Sequence, residues 1–164
     1  MTNLIWLRND LRLHDHQLLN AALKTGAPVV LLYCVDPRQF EQTRFGFPKT
    51  GAYRAKFLLE SLADLRQSLQ ALGSNLVIRQ GQPEVVIPSL IQELGVDMVY
   101  WYQEVTAEEV AVEQALEKAL QPLGTHIQTA WGATLYHPDN LPFDIQQIPA
   151  VFTQFRKQVE RHST

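Results

Sequence analysis

The sequence predicts an α/β domain: a doubly wound, five-stranded parallel sheet of Rossmann-like order 3-2-1-4-5 with helices on both faces. Three observations carry that expectation. Short apolar runs alternate with amphipathic stretches of helical period along the chain. The apolar runs are continuous, as in strands covered on both faces. Each of the first four helical stretches stops at a glycine, and no internal repeat or low-complexity tract breaks the series.

The elements follow in order. NLIWL, Asn3 to Leu7, reads as the first strand, and HQLLNAALKTG as a helix ended by Gly26. PVVLLYCVD, Pro28 to Asp36, is the second strand, β-branched at both ends. A loop rich in aromatics, Gly and Pro runs from Pro37 to Gly51. Leu58, Leu62, Leu65, Leu69 and Leu72 then recur at four-then-three spacing, one apolar stripe that Gly73 stops. NLVIRQG is the third strand. PEVVIPSLIQELG is a helix opened by Pro83 and closed by Gly95, with an irregular first turn expected at Pro88. In the fourth strand, VDMVYWYQ, alternation sends Tyr100 and Tyr102 to one face and Trp101 to the other. Thr106 and Glu109 form a potential capping box for the next helix, with Val105 and Val110 as its hydrophobic staple. That helix runs to about Leu123, and THIQTAW is the fifth strand. Pro138 to Pro149 reads as a Pro-rich connector before a short helix over roughly Ala150 to Arg161. The expected organisation is an α/β domain over 1–136, then a connector and helix over 137–164.

Composition narrows the function. The chain has 164 residues, 46% of them hydrophobic and 19% charged, which suits one soluble globular domain. A net charge of -3 argues against strong nucleic-acid binding by bulk electrostatics. One cysteine, Cys34, excludes an internal disulfide framework and fits a reducing compartment. Arg8, Asp10 and Arg12 interrupt any signal-peptide run, and no apolar segment is long enough to span a bilayer. A cytoplasmic location is expected, with no membrane association.

Ligands of open α/β sheets bind beyond the carboxyl ends of the strands, where strand order reverses. Here that point falls between strands one and four. Beyond strand one stand Arg8, Asn9, Asp10 and Arg12; beyond strand four stand Tyr102, Gln103 and Glu104. An internal role is equally open: Arg8 with Asp10, or Arg12 with Asp15, could pair or cap a helix, and Glu104 suits a helix start through the dipole alone. Trp6 and Trp101 are expected in the core. Tyr102, Gln103 and Trp131, at strand ends, could meet a planar ring. Familiar catalytic motifs are absent: no G-x-G-x-x-G follows strand one, GFPKTG lacks the Walker order, and no G-x-S-x-G occurs. His14 and His16 in HDH lack a nearby third ligand, so no metal site is expected. Cys34 reads as an inert core thiol. No catalytic constellation is visible, so the chain is not expected to be an enzyme by itself.

Several segments resemble the DNA photolyase and cryptochrome family: WLRNDLRLHDH, YCVDPRQF, FPKTGAYRAKFLLESLADLRQSL, YWYQEVTAEEVAVE, WGATLYHPDNLPF and IPAVFTQFRKQVE, in the family's order. LRLHDH, KTGAYRAKFLLESLADL and GATLYHPDNLPF look most like DASH-type cryptochromes. Leu7 departs from a phenylalanine common in the opening signature. The resemblance implies a domain that builds much of the pocket for a light-harvesting antenna, usually methenyltetrahydrofolate and in some relatives a deazaflavin. Glu104 matches the family position whose carboxylate hydrogen-bonds the pterin, with Gln103 beside it, and Arg8, Asp10 and Arg12 match the signature shaping the same cleft. The resemblance places FAD in a helical domain to which nothing in this chain corresponds, so photorepair is not expected of the chain alone. Two other readings remain: a nucleotide-binding α/β domain taking ATP or AMP, and an interaction module pairing with a separately encoded helical FAD domain. Exposed apolar side chains around Phe40, Phe45 and Phe47 would favour the last, and self-association with it.

Overall fold

The computed structural model describes residues 1–134 and 136–162, so Leu135, Ser163 and Thr164 lie outside the account. Five strands form one sheet in the order β3-β2-β1-β4-β5, as expected. They are β1 (Asn3–Leu7), β2 (Val29–Val35), β3 (Leu76–Gln80), β4 (Met98–Gln103) and β5 (His126–Trp131). β1 pairs in parallel with both β2 and β4, and β2 in parallel with β3. The helices are α1 (Gln17–Lys24), α2 (Ala52–Ala71), α3 (Pro83–Leu94), α4 (Ala107–Leu120) and α5 (Phe152–His162).

Alternation of side chains along the strands divides the core in two. Leu4 and Trp6 of β1, Leu32 and Cys34 of β2, and Val99 and Trp101 of β4 pack with Ile87, Leu90 and Ile91 of α3 and Leu116 and Leu120 of α4. Ile5, Leu7, Leu31, Tyr33, Tyr100 and Tyr102 point to the opposite face and meet Leu18 and Ala22 of α1 and Leu62, Leu65 and Leu69 of α2. Every residue of β1 is buried, which explains its unbroken apolar run. Burial of each such Leu or Ile side chain contributes about 1.5–3 kcal/mol. With α1 and α2 on one face and α3 and α4 on the other, the chain changes face between β3 and β4. The strand order therefore reverses between β1 and β4, as the sequence predicts.

Five local expectations are corrected. Leu72 does not join the stripe of α2: it is the C-cap, where helical geometry ends, and is 75% exposed. Pro88 leaves α3 uninterrupted, because the first turn is held by Val85 and Val86 N–H groups donating to the Gln82 carbonyl. Thr106 stands at the N-cap of α4, yet its side chain makes no capping bond, and Glu109 is drawn to Arg8 instead. Val105 is 55% exposed, so no staple closes over that turn. The helix ends at Leu120, and a 3-10 turn covers Gln121–Leu123 before Gly124.

The chain forms two compact units, Met1–Ala130 and Trp131–Thr164. In the second, Phe155 of α5 lies edge-on to Phe143 and stacks with Phe152. Among the described residues no helix is long and apolar enough to cross a membrane.

Candidate functional site

The charge that follows β1 splits by position. Arg8, directly after the fully covered β1, turns inward and is 8% exposed. Its guanidinium pairs with Glu109 and Glu113, one turn apart on α4, and donates to the Tyr102 carbonyl at 3.4 Å. The same group lies over the Trp6 ring, 4.6 Å from its centroid. Glu113 also accepts from the Glu104 N–H at 2.9 Å, tying the end of β4 to α4. The buried guanidinium is thus met by a buried carboxylate, Glu113, and a partly exposed one, Glu109.

Asp10 is equally buried. Its Oδ1 accepts from the Arg8 N–H at 2.7 Å, and its Oδ2 faces His16 Nε2 at 2.9 Å. His16 Nδ1 accepts from the Leu19 N–H at 3.0 Å and so caps α1, which puts the ring proton on Nε2, toward Asp10. Burial alone would raise the Asp10 pKa, but the bonds from His16 and the Arg8 backbone outweigh it and hold the carboxyl below its ordinary value. His14 and Asp15 stay exposed, and Asp15 adopts a positive φ of 51° that Asp tolerates. Tyr102 is buried against the His16 ring, its hydroxyl accepting from the Gln17 N–H at 2.9 Å.

Asn9, Arg12, Gln103 and Glu104 turn outward instead. Asn9 Nδ2 donates to Glu104 Oε1 at 2.8 Å, which joins the ends of β1 and β4 at the surface. Glu104 Oε2 accepts no hydrogen bond from the described residues, and Gln103 is exposed beside it. Arg12 lies over the Tyr102 ring, 5.8 Å from its centroid. Trp131, the other strand-end ring, donates its indole N–H to Thr134 Oγ1 at 2.8 Å and meets the His137 ring edge-on, both within its own unit.

A cavity of about 1100 Å³ opens next to this rim, over the carboxyl ends of β1 and β2. That is ample for a polycyclic ligand. Its walls come from Trp6, Arg8, Asn9 and Arg12 after β1, from Tyr33 to Asp36 at the end of β2, from the 37–50 loop, and from the first turns of α2 and α4. Phe47 and Phe57, both exposed, line it with Arg54 and Lys49, while Trp6 and Tyr33 border it as buried core residues. Asp10, Tyr102, Gln103 and Glu104 do not line it, so the seven residues flanking the strand reversal do not form one cleft. Burial pushes both the Tyr33 hydroxyl and the Cys34 thiol up to about 12, so neither ionises near neutrality. Arg38 closes the β3 side with a double contact to Asp36 and another to Glu84, and these, Asp36 first, raise its pKa further. At the neighbouring turn Gly81 has φ +142°, and a Cβ there would sit 2.8 Å from Val86 Cγ2.

Position relative to the strands missed the second wall of this cavity and the partners of Arg8. The aromatic loop from Pro37 to Gly51 was the signal for the wall; the acidic pair Glu109 and Glu113, one turn apart after β4, was the signal for the partners. Among the described residues no group of three or more His, Cys, Asp or Glu could hold a metal ion.

The family model for DNA photolyase matches residues 3–164. The cryptochrome DASH of Gloeobacter violaceus is 58% identical over 160 residues, covering 98% of this chain and 32% of that protein. The crystal structure of a Synechocystis cryptochrome superposes with a TM-score of 0.94 at 49% identity, covering 98% of this chain and 33% of that one. An archaeal photolyase from Sulfolobus tokodaii, solved with two FAD molecules, shares the fold alone: TM-score 0.83, 24% identity, 98% and 35% coverage. The chain thus spans about a third of the length of these relatives. With the sheet order and the whole-chain match together, the chain belongs to the DNA photolyase family and corresponds to the N-terminal α/β domain of its DASH-type cryptochromes.

Proposed function

We infer that this domain binds a light-harvesting antenna chromophore, with methenyltetrahydrofolate as the first reading. The observation that carries it is the Asn9–Glu104 pair at the β1/β4 rim, which leaves one carboxylate oxygen of Glu104 open beside Gln103. A pterin edge offers a row of N–H donors, and a carboxylate fixed by Asn9 on one oxygen can accept from it with the other. The negative charge suits the cationic methenyl form. Arg12 and Gln103 flank that position, while Arg8, Asp10 and Tyr102 stand behind it and fix the strand ends. The chromophore, when bound, supplies light absorption and excitation transfer; the residues supply orientation and exclusion of water.

A second reading, a deazaflavin, is favoured by the cavity, where the exposed rings of Phe47 and Phe57 and the cation of Arg54 suit a planar polycycle. In either reading the longer relatives supply a helical FAD domain against which this one packs, and repair or signalling belongs to the whole protein. The stacked Phe45 and Phe47, 70% and 55% exposed, with Phe40 at 38%, support a partner or a second copy on that side.

The test is a fluorescence titration with each chromophore against Glu104→Gln and Phe57→Ala. Folate binding weakened about tenfold by Glu104→Gln alone supports the rim, because a charge-assisted bond of this kind is worth about 1.5–3 kcal/mol. Deazaflavin binding weakened by Phe57→Ala alone supports the cavity. Absence of saturable binding by both refutes the antenna reading for the isolated domain.

A further inference from the structure

We propose that Lys49 and Glu108 form a charge latch across the mouth of the cavity, which a ligand's anionic tail opens by taking Lys49 from Glu108. The site then prefers ring ligands that carry an anion over neutral ones. This rests on the reading of the cavity as a ring-binding site.

The 41–50 segment is built to move as one piece. Gln42 and Pro48 form an antiparallel bridge, the Thr43 N–H and hydroxyl both donate to the Phe47 carbonyl at 2.8 and 2.9 Å, and the Lys49 N–H donates to Glu41 O at 2.9 Å. Its backbone polar groups are thus largely satisfied within the segment, while Thr43, Phe47 and Lys49 face the cavity. Among the described residues, one ion pair ties it to the opposite wall: Lys49 Nζ to Glu108 Oε2 at 3.0 Å. The partners are 33% and 77% exposed, so water and salt weaken the tie.

The other cations of the cavity divide sharply. Arg8 is held by the buried Glu113 and the partly exposed Glu109, and Arg38 by Asp36 and Glu84. Neither can turn to a ligand without leaving a carboxylate unpaired in a shielded place. Arg54 makes no ion pair among the described residues, nor does Arg12, which lies over the Tyr102 ring, and Lys49 makes only the exposed one. An anion entering between the segment and α2 therefore exchanges one solvated carboxylate for a ligand that both cations can reach. A neutral ring offers Lys49 nothing in return and must leave the latch shut or break it uncompensated. The same exchange sets the order of events: the tail engages at the mouth, and the ring then settles against Phe57.

Riboflavin and its 5′-phosphate carry one ring and differ in the anion, so they serve as probes. Each is titrated into the 164-residue chain by flavin fluorescence, with Lys49→Ala and Glu108→Gln as variants. The expected wild-type result is about tenfold tighter binding of the phosphate form, shrinking with added salt. Lys49→Ala cuts that preference to about threefold or less, leaving the share due to Arg54 and Arg12, and Glu108→Gln enlarges it. Both substitutions lie at exposed positions, and circular dichroism verifies that the fold is kept. Equal binding of the two flavins, or a preference that Lys49→Ala leaves intact, overturns the latch while the ring site stands. If neither flavin binds, the cavity reading and the latch fall together.

Discussion

The two halves of the sheet's carboxyl edge handle charge in opposite ways. Over β1 and β4 the edge is filled by its own side chains: Arg8 with Glu109 and Glu113, Asp10 with His16, Asn9 with Glu104. Over β1 and β2 it stays open, a cavity bordered by rings and by one exposed ion pair. Topology marks the first, where strand order reverses, as the place for a ligand. The difference teaches that a strand reversal supplies an opening only where the local side chains are not already matched to one another. In this fold the matched half fixes the strand ends behind the Asn9–Glu104 rim, and the other half encloses a cavity.

Breaking the matched half should cost the most. Arg8→Ala leaves Glu113 and Glu109 facing each other without a cation, and loss of one partner from a buried ion pair costs about 3–5 kcal/mol. Urea denaturation measures it; a loss below about 1 kcal/mol would place the pair among ordinary surface bridges.

Asp10 comes next and gives a pH signature. Its folded pKa lies below the ordinary 3.8, so its stabilising contribution is complete above that value and is lost as pH falls through the depressed folded pKa. Asp10→Asn should cost about 1.5–3 kcal/mol at neutral pH, the worth of hydrogen bonds to a charged group. It should also flatten the acid limb of the stability curve, with mutant and wild type converging in acid. Parallel acid limbs would assign that limb to other carboxyls.

The unmatched half should hardly respond. Lys49→Ala removes an exposed pair and should change stability by less than about 1 kcal/mol, even as it alters flavin preference. A larger loss would mean that the 41–50 segment is clamped in place.

Much of this was legible before any coordinates. All five strands lie where the sequence placed them, β1 and β2 as apolar runs and β5 as the mixed run HIQTAW, and period-two alternation sorted Tyr100 and Tyr102 from Trp101 correctly. The leucine stripe of α2 failed only at Leu72, where helical geometry stops and periodicity no longer orients a side chain. The candidate residues beyond β1 and β4 were located as a set, but their directions were not. Arg8 and Asn9 are adjacent, and a strand's alternation puts one inside and the other outside; which is which depends on register against α4.

What the sequence determined by itself is the order of elements and the faces they bury, because local periodicity and turn residues act over a few positions. What only the tertiary structure decided is the fate of each charge. Arg8 meets its carboxylates 101 and 105 residues away, and the cavity is bounded by a loop and two helices that meet only once the sheet has formed. Coulomb pairing and enclosure depend on distances in space, and no local pattern encodes those.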